Sequence, residues 1–163
     1  MQLDLRKIID APGAELSFDF ELDSSNLSFP QVAAYKSNPR AVGRVFNEAG
    51  MLRAEGSVEA EMLCICDRCG SEFESKKVTE IDAVLALEES DDNPELFIIE
   101  GDAIDVSELA STCFILDMET KFLCSEDCKG LCPSCGKNLN LGPCGCWEQS
   151  DPRFAVLEQL LDK

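Results

Sequence analysis

Histidine is absent from this 163-residue chain. Without an imidazole the chain can build neither a Ser-His-Asp nor a Cys-His nucleophile system, and no histidine can orient a water molecule on a metal. Glycine-rich phosphate-binding loops are missing too, because Gly130-Leu-Cys-Pro-Ser-Cys-Gly136 lacks the Lys-Ser/Thr ending of such a loop. We therefore expect a protein that is not an enzyme.

Long apolar runs are also missing. No segment approaches the roughly 18 apolar residues that a membrane-spanning helix needs. The segment from Met1 to Lys7 does not show the basic start, apolar stretch and cleavage site of a secretory leader. These absences predict a cytoplasmic chain in reducing surroundings, where clustered cysteines hold metal or do redox chemistry rather than form disulfides.

Basic residues are few, with 14 Lys and Arg against 32 Asp and Glu and a formal net charge of −18. No basic residue lies between Lys77 and Lys121, a stretch rich in Asp and Glu. Such a molecule repels a phosphate backbone at long range, so sequence-independent DNA binding is not expected, whereas basic proteins are attracted.

The remaining basic residues predict where any RNA contact would occur. Arg68 is the favoured single candidate, because a Cys-x-x-Cys turn would hold its backbone rigidly at a hairpin tip. The alternative for Arg68 is a hydrogen bond to a nearby acid such as Asp67 or Glu72. The full set of candidate RNA or partner contacts is Arg40, Arg44, Arg53, Arg68, Lys129 and Lys137.

Cysteine, by contrast, is abundant, with ten in the chain. Eight of them fall into four close pairs, and two pairs share the turn Cys-x-x-Cys-Gly, at residues 66–70 and 132–136. In this turn glycine accepts a positive φ, and both sulfurs point at one position. Tetrahedral zinc takes four thiolates at about 2.3 Å, so we predict two structural zinc sites. The predicted ligands are Cys66, Cys69, Cys124, Cys128, Cys132, Cys135, Cys144 and Cys146.

Two alternatives to zinc stay open, a disulfide framework and an iron–sulfur or redox centre. The pairing of the four cysteine pairs is open as well. We favour one site at 66, 69, 124 and 128 and a local site at 132, 135, 144 and 146, with a single helical turn aligning Cys124 and Cys128. The competing arrangement joins the two Cys-x-x-Cys-Gly turns in one site, as in a zinc ribbon.

The first half of the chain has the alternating pattern of β-strands. Residues 15–22 alternate apolar and polar side chains, and residues 42–46 and 52–63 flank a glycine-containing turn at 47–50. A long strand is predicted over 73–87, so that the first cysteine pair lies at the tip of a hairpin. A short strand is predicted over 96–99.

One helix is predicted to begin after Asp105, which forms a capping box with Glu108. Cys113, on its apolar face, and Cys64, on a strand, are predicted to pack as small hydrophobic residues rather than bind metal. A second helix is predicted over 151–163, and the charged loop at 88–94 is predicted to be disordered.

These elements predict an α+β fold, an antiparallel β-rich domain with one or two packing helices and a cysteine-rich zinc-binding C-terminal module. We expect a single domain over 1–163, with a core and helix at 1–118, a zinc-binding tail module at 119–150 and a terminal helix at 151–163.

The chain resembles the YceD family, the large ribosomal RNA subunit accumulation proteins. The resemblance is carried by the hairpin motif Cys66-Asp-Arg-Cys69, the helix opening Ile104-Asp-Val106, and the cysteine-rich tail from Leu123 to Cys146 with the terminal segment after Asp151. It covers most of the chain and is specific in the tail. The segment 117–122 departs from the family pattern because it contains no proline.

The resemblance implies a factor that supports synthesis, processing or stability of large-subunit 23S ribosomal RNA, with no catalytic residues. The expected partner is that RNA or a precursor particle, with a ribosomal protein as a further candidate, and neither DNA nor a membrane. The competing hypotheses are an acidic escort for a basic ribosomal protein, without direct RNA contact, and a metal-dependent enzyme.

Overall fold

The computed structural model describes residues 1–86, 96–99 and 101–146. This part of the chain is rich in strands and contains one α-helix. Short 3-10 turns cover Leu5–Lys7, Ser24–Asn26 and Leu139–Leu141. No helix in these ranges is long and apolar enough to cross a bilayer. In chain order the strands and helix are β1 (Gln2–Asp4), β2 (Glu15–Glu21), β3 (Val32–Tyr35), β4 (Arg40–Glu48), β5 (Met51–Ile65), β6 (Glu72–Ala86), β7 (Phe97–Ile98), β8 (Ala103–Asp105) and α1 (Val106–Leu116).

A six-stranded sheet forms the framework. Its strand order is β2-β4-β5-β6-β7, and β3 pairs with the far half of β5. All pairings are antiparallel except that of β6 with the short strand β7, which is parallel. A separate two-stranded ladder joins β1 to β8. The strand-rich, largely antiparallel fold is therefore confirmed, with one parallel pairing that the sequence did not predict.

Two sequence predictions fall outside the described residues. They are the disordered loop at 88–94 and the second helix at 151–163.

The turn between β4 and β5 is a two-residue turn. Ala49 and Gly50 both have positive φ, 53° and 97°, which matches the right-handed twist of a hairpin. The buried Asn47 accepts a hydrogen bond from the Gly50 N–H at 2.8 Å and donates to the carbonyls of Ile8 and Ile9 at 2.8 and 2.7 Å. One amide therefore holds both the turn and the segment after β1.

The long hairpin of β5 and β6 carries the first cysteine pair. Its ladder runs from Leu52 opposite Leu85 to Ile65 opposite Glu72. Alternation buries one face of β5 in the core, including Cys64, which is fully buried as predicted for a packing residue. The other face is exposed to solvent, and the tip of the hairpin extends beyond the core.

Helix α1 packs on the buried face of the sheet. The Asp105 side chain accepts hydrogen bonds from the backbone N–H groups of Ser107 and Glu108, as the predicted cap requires. Phe114 is fully buried and meets the Phe29 ring edge-on at 6.2 Å between centroids. Cys113 is only partly buried and packs against the same core.

The end of α1 is fastened to β6 by charged and polar contacts. Lys77 Nζ donates to the Asp117 carbonyl at 2.7 Å and to Glu119 Oε1 at 3.0 Å. Thr79 Oγ1 donates to Asp117 Oδ2 at 2.9 Å. These contacts direct the chain after the helix along β6, toward the hairpin tip.

Candidate metal centres

The first cysteine pair occupies the turn that links β5 to β6. The Cys66 N–H donates to the Ser71 carbonyl at 3.0 Å, and the Gly70 N–H donates to the Cys66 carbonyl at 2.8 Å. Gly70 has a φ of 68°, in the left-handed region that glycine enters without strain. This closed turn points the sulfurs of Cys66 and Cys69 in one direction.

The segment after α1 is held beside this turn by a reciprocal pair of hydrogen bonds. The Asp67 N–H donates to the Phe122 carbonyl at 2.8 Å, and the Phe122 N–H donates to Asp67 Oδ2 at 2.7 Å. Phe122 is buried. The two contacts place the following residues, among them Cys124 and Cys128, opposite the first pair.

The helical turn predicted for Cys124 and Cys128 is wrong. The backbone there forms a short turn in which the Cys128 N–H bonds to the Ser125 carbonyl at 3.1 Å, an i to i−3 contact. The chain is pinned at Phe122 on one side and turns at Gly130, φ 74°, on the other, which leaves no length for a regular helix.

The four sulfurs of the first site have the spacing of a tetrahedral metal shell. The Sγ atoms of Cys66 and Cys128 lie 3.8 Å apart, and those of Cys69 and Cys124 lie 3.7 Å apart. A regular tetrahedron with sulfur at about 2.3 Å from its centre has edges of about 3.8 Å. A disulfide would bring two sulfurs to about 2.0 Å, and all ten cysteines are free.

The second site repeats the turn of the first. The Cys132 N–H donates to the Lys137 carbonyl and the Gly136 N–H to the Cys132 carbonyl, both at 2.8 Å, and Gly136 has a φ of 72°. Cys144 and Cys146 complete this group, in which all sulfurs lie within 4.8 Å of one another. The structure thus brings the eight thiols together in the grouping that the sequence favoured, and the ribbon pairing is not formed.

The thiols of the first site are unequal in their protonation. Burial disfavours the charged form of Cys66, but hydrogen bonds from the backbone N–H groups of Cys124, Cys69 and Arg68 outweigh it and lower the pKa to about 6. The pKa of Cys124 is raised to about 12, mainly through its hydrogen bond with Cys128 and then through burial.

The second site shows the same division. The backbone N–H groups of Cys135 and Ser134 lower the pKa of Cys132 to about 6, whereas the contact with Cys135 raises that of Cys146 to about 12. Each group thus stabilises one cysteine as a thiolate and disfavours the deprotonation of another. A divalent cation favours that deprotonation, so the donor sets fit a metal with four thiolate ligands.

Both donor sets are complete. A catalytic zinc site holds three protein ligands and keeps a fourth position for water or substrate, whereas structural sites are closed by four. Here each group supplies four cysteine sulfurs that lie within 4.8 Å of one another. The sulfur spacing also matches a single ion better than an iron–sulfur cluster, in which the four thiolates are divided among different irons.

The three candidate arginines of the sheet lie on its solvent-exposed face, and each is paired with carboxylates. Arg40 Nη2 meets Asp19 Oδ2 at 2.6 Å. The other two arginines each bridge a pair of acids. Arg44 contacts Glu15 at 2.8 Å and Glu55 at 3.4 Å, and Arg53 contacts Asp82 at 2.7 Å and Glu48 at 3.3 Å.

The other basic candidates lie on the metal turns, away from the sheet arginines. Arg68 does not bond Asp67 or Glu72; its Nη1 donates to the carbonyls of Glu126 and Cys128 at 3.2 and 3.0 Å. The remaining two are lysines, one between the two sites and one directly after the turn of the second site. Lys137 Nζ donates to the Pro143 carbonyl at 2.8 Å, and the Lys129 N–H donates to Asn140 Oδ1 at 2.8 Å. The structure therefore does not gather the six residues into one patch.

Sequence reasoning missed the polar residues that join the two sites. Asn140 Nδ2 lies 3.2 Å from Cys128 Sγ, and Asn138 Nδ2 lies 3.2 Å from Ser71 Oγ. The sequence signal was the pair of asparagines between the two cysteine pairs of the second site, in a stretch otherwise explained as a connecting turn.

Comparison with known proteins identifies relatives of the chain. A family model described as "Large ribosomal RNA subunit accumulation protein YceD" matches residues 54–161, a range that contains both cysteine groups. The chain is similar to Uncharacterized protein Rv2926c of Mycobacterium tuberculosis (H37Rv) and to Uncharacterized protein Mb2951c of Mycobacterium bovis. Each is 32% identical over 111 residues, which is 65% of this chain and 54% of the relative. The chain thus spans about half the length of these curated relatives. No solved structure matches it.

Proposed function

The chain belongs to the YceD family of large ribosomal RNA subunit accumulation proteins, and we propose that it is a non-catalytic factor supporting synthesis, processing or stability of large-subunit 23S ribosomal RNA. The observation that carries this proposal is the family match over 54–161. The family name itself supports a role in ribosome biogenesis. On this proposal the protein acts in the cytoplasm, on the RNA or on a precursor particle.

We propose that both cysteine groups bind zinc and that the metal is structural. Sulfur spacings of 3.7 and 3.8 Å and four thiolates in each group support a closed tetrahedral site. The same donor sets support a non-catalytic role for the metal, since a zinc ion with four thiolate ligands leaves no position for a reacting water. The absence of histidine also removes the usual general base.

We expect the metal turns, rather than the sheet arginines, to make any direct RNA contact. On the exposed face of the sheet Arg40, Arg44 and Arg53 already meet carboxylates, so a phosphate would have to displace an existing ion pair. Lys129 is exposed, and within the described ranges its one recorded side-chain partner is Asn140, which accepts from the backbone N–H and leaves the ammonium group uncommitted.

The second candidate function is an acidic escort of a basic ribosomal protein. One observation favours it, namely that acids outnumber basic side chains on the exposed face of the sheet. Opposite charges attract a basic partner and would repel the RNA backbone at long range. The acids of this face, read from the strand register, are Glu15, Asp19, Glu21, Glu48, Glu55, Glu59, Glu61, Glu72, Glu74, Glu80 and Asp82, against Arg40, Arg44, Arg53 and Lys76.

Capture of partners on the tagged full chain, with and without ribonuclease, tests the two functions. A factor that engages precursor particles should retain large-subunit ribosomal RNA and a set of ribosomal proteins, and should lose both after ribonuclease. An escort should retain one basic ribosomal protein in both conditions. Recovery of neither RNA nor ribosomal protein would contradict the proposal of a ribosomal role.

A charge series then locates the contact. We expect Lys129→Gln to weaken co-sedimentation with large-subunit precursors, and Arg44→Gln to weaken it less. The exposed Lys7 lies outside the sheet face and the metal turns, so Lys7→Gln is the matched control. Arg68 is unsuitable for this test because its guanidinium bonds two backbone carbonyls of the first site. Equal co-sedimentation of all three variants would contradict an RNA contact at the metal turns.

A further inference from the structure

The two cysteine sites are neighbours in the chain. Cys128 is a ligand candidate of the first site and Cys132 of the second, and only Lys129, Gly130 and Leu131 separate them. A connection of three residues gives little freedom, so the position of one group limits the position of the other.

This connection is also tied to the hairpin tip. The Leu131 N–H donates to the Arg68 carbonyl at 3.1 Å, and Arg68 Nη1 returns a hydrogen bond to the Cys128 carbonyl at 3.0 Å. Gly130 runs so close to Arg68 that a Cβ atom at this position would lie 3.0 Å from the Arg68 carbonyl oxygen. The connection therefore follows one path between the sites.

Asn140 reaches from the second site to a thiol of the first. Its Oδ1 accepts the Lys129 N–H at 2.8 Å, and its Nδ2 lies 3.2 Å from Cys128 Sγ. A backbone N–H can only donate, so the amide oxygen must face Lys129 and the NH₂ group must face the sulfur. The Cys128 sulfur thus accepts a hydrogen bond from a side chain outside its own ligand set.

The second site holds Asn140 in place. The residue lies in the 3-10 turn Leu139–Leu141, between Cys135 and Cys144 of that site. Asn138 caps this turn by accepting the Asn140 N–H at 3.0 Å, and its Nδ2 contacts Ser71 Oγ, in the connection between β5 and β6, at 3.2 Å. The Leu139 N–H adds a bond to the Gly130 carbonyl at 2.9 Å. A metal held by Cys132, Cys135, Cys144 and Cys146 would close the loop that carries this turn.

We infer that the two metal centres are one coupled unit, in which Asn140, held by the loop of the second site, positions Cys128 and stabilises metal in the first. The inference rests on the proposal that both groups hold metal. A hydrogen bond to a ligand sulfur disperses its negative charge and fixes its direction, and loss of such an outer contact typically costs about 10- to 100-fold in metal affinity.

The test is the rate at which a chromophoric chelator removes zinc from the metal-loaded full chain. Asn140→Asp keeps an oxygen for the Lys129 N–H but replaces the donor that faces sulfur with a carboxylate oxygen. We expect about 10- to 100-fold faster release from the first site in this variant. Leu141→Ala is the matched control, because this side chain of the same turn is 82% exposed.

Cys135→Ser supplies the second arm. Removing the metal of the second site should accelerate release of the remaining zinc by a factor similar to that of Asn140→Asp. In the double variant the two effects should not multiply, since both remove the same contact. The single phase of Cys135→Ser belongs to the first site, because this variant holds no other zinc, and the accelerated phase of Asn140→Asp should match its rate.

The outcomes separate this inference from the proposal on which it rests. A wild-type chain that binds no zinc contradicts the metal proposal. Two zinc ions with unchanged release in Asn140→Asp, or effects of the two variants that multiply fully, overturn the coupling alone. If Asn140→Asp instead releases zinc faster from the second site only, Asn140 stabilises its own turn and not Cys128.

Discussion

Gly43 and Gly56 oppose each other across β4 and β5, and the two strands approach so closely there that neither position has room for a side chain. A Cβ atom on Gly43 would lie 2.6 Å from Phe18 Cζ and 2.9 Å from the Gly56 Cα. A Cβ atom on Gly56 would lie 2.7 Å from the Gly43 Cα. Phe18 is buried, so its ring fills the space that the two glycines leave.

We expect Gly56→Ala to lower the free energy of unfolding by about 2–3 kcal/mol, because the added methyl group must push a backbone strand rather than a flexible side chain. Chemical denaturation of the metal-loaded chain measures the effect. Ser57→Ala, one position along the same strand and on its other face, should be close to neutral. A neutral Gly56→Ala would contradict the close approach of β4 and β5.

The contact between Lys77 and the end of α1 gives a second prediction. The Lys77 side chain is 12% exposed and bridges Asp117 and Glu119, whereas its neighbour Lys76 is 57% exposed and pairs with Glu59. We expect Lys77→Met to destabilise the chain by about 1 kcal/mol, since Asp117 is half exposed and partly rehydrates. Lys76→Met should leave the free energy of unfolding unchanged. Equal effects of the two substitutions would contradict a specific stabilising role for the contacts of Lys77 with Asp117 and Glu119.

This stabilisation should depend on pH in a defined direction. Lys77, and then Thr79, hold the pKa of Asp117 below its ordinary value, so the contribution is complete above about pH 4 and is lost as the pH falls through the folded-state value. Burial opposes the charge of Lys77, but Asp117 and Glu119 still raise its pKa, so its contribution declines only in strongly basic solution. The difference in the free energy of unfolding between wild type and Lys77→Met should therefore be constant near neutral pH and should become smaller below about pH 4.

Metal content is a third prediction. We expect elemental analysis of anaerobically purified protein to find two zinc ions per chain and negligible iron, since two separate groups of four thiols are present. Cys135→Ser should lose one zinc and retain the other, because Cys135 belongs to the second group alone. One zinc in the wild type, or stoichiometric iron, would contradict this prediction.

The arrangement of the first site gives a fourth. Cys69→Ser should speed amide exchange most at the hairpin tip and in residues 120–130, while 132–146 keeps most of its protection because its own four thiols remain. Amide exchange read by mass spectrometry resolves these segments, and wild-type protein provides the reference. Lost protection at 132–146 with protection retained at 120–130 would contradict the grouping of the thiols.

Much of the sheet could be predicted because its signals are local. Alternation marks β2 and β5, the cap at Asp105 starts α1, and a glycine-containing turn joins β4 to β5. The spacing of the cysteine pairs likewise favoured the two thiol groups that the structure forms. Alternation with a period of two residues and a helix cap each depend on residues close together in the sequence. Tertiary contacts then stabilise the same structures.

Other features could not be predicted because they depend on residues far apart in the chain. Strand β1 exists through its pairing with β8, about a hundred residues away, and β3 through β5. The residues next to Arg68 in the sequence do not indicate that its guanidinium bonds the carbonyls of Glu126 and Cys128, about sixty residues later. The pair of asparagines at 138 and 140 was visible in the sequence, but its contacts with Ser71 and Cys128 of the first site depend on the folded arrangement.

The first cysteine group joins Cys66 and Cys69 to Cys124 and Cys128 across 54 intervening residues, a span that includes β6 and α1. A cross-link that closes a loop of this length lowers the conformational entropy of the unfolded chain. For a disulfide, this effect stabilises the folded state by about 4 kcal/mol. Zinc would thus act as a removable staple where disulfides are kept reduced. Removal of zinc by a chelator would then open this cross-link, as reduction opens a disulfide. The supply of zinc would therefore affect how readily the segment after α1 associates with the hairpin tip during folding.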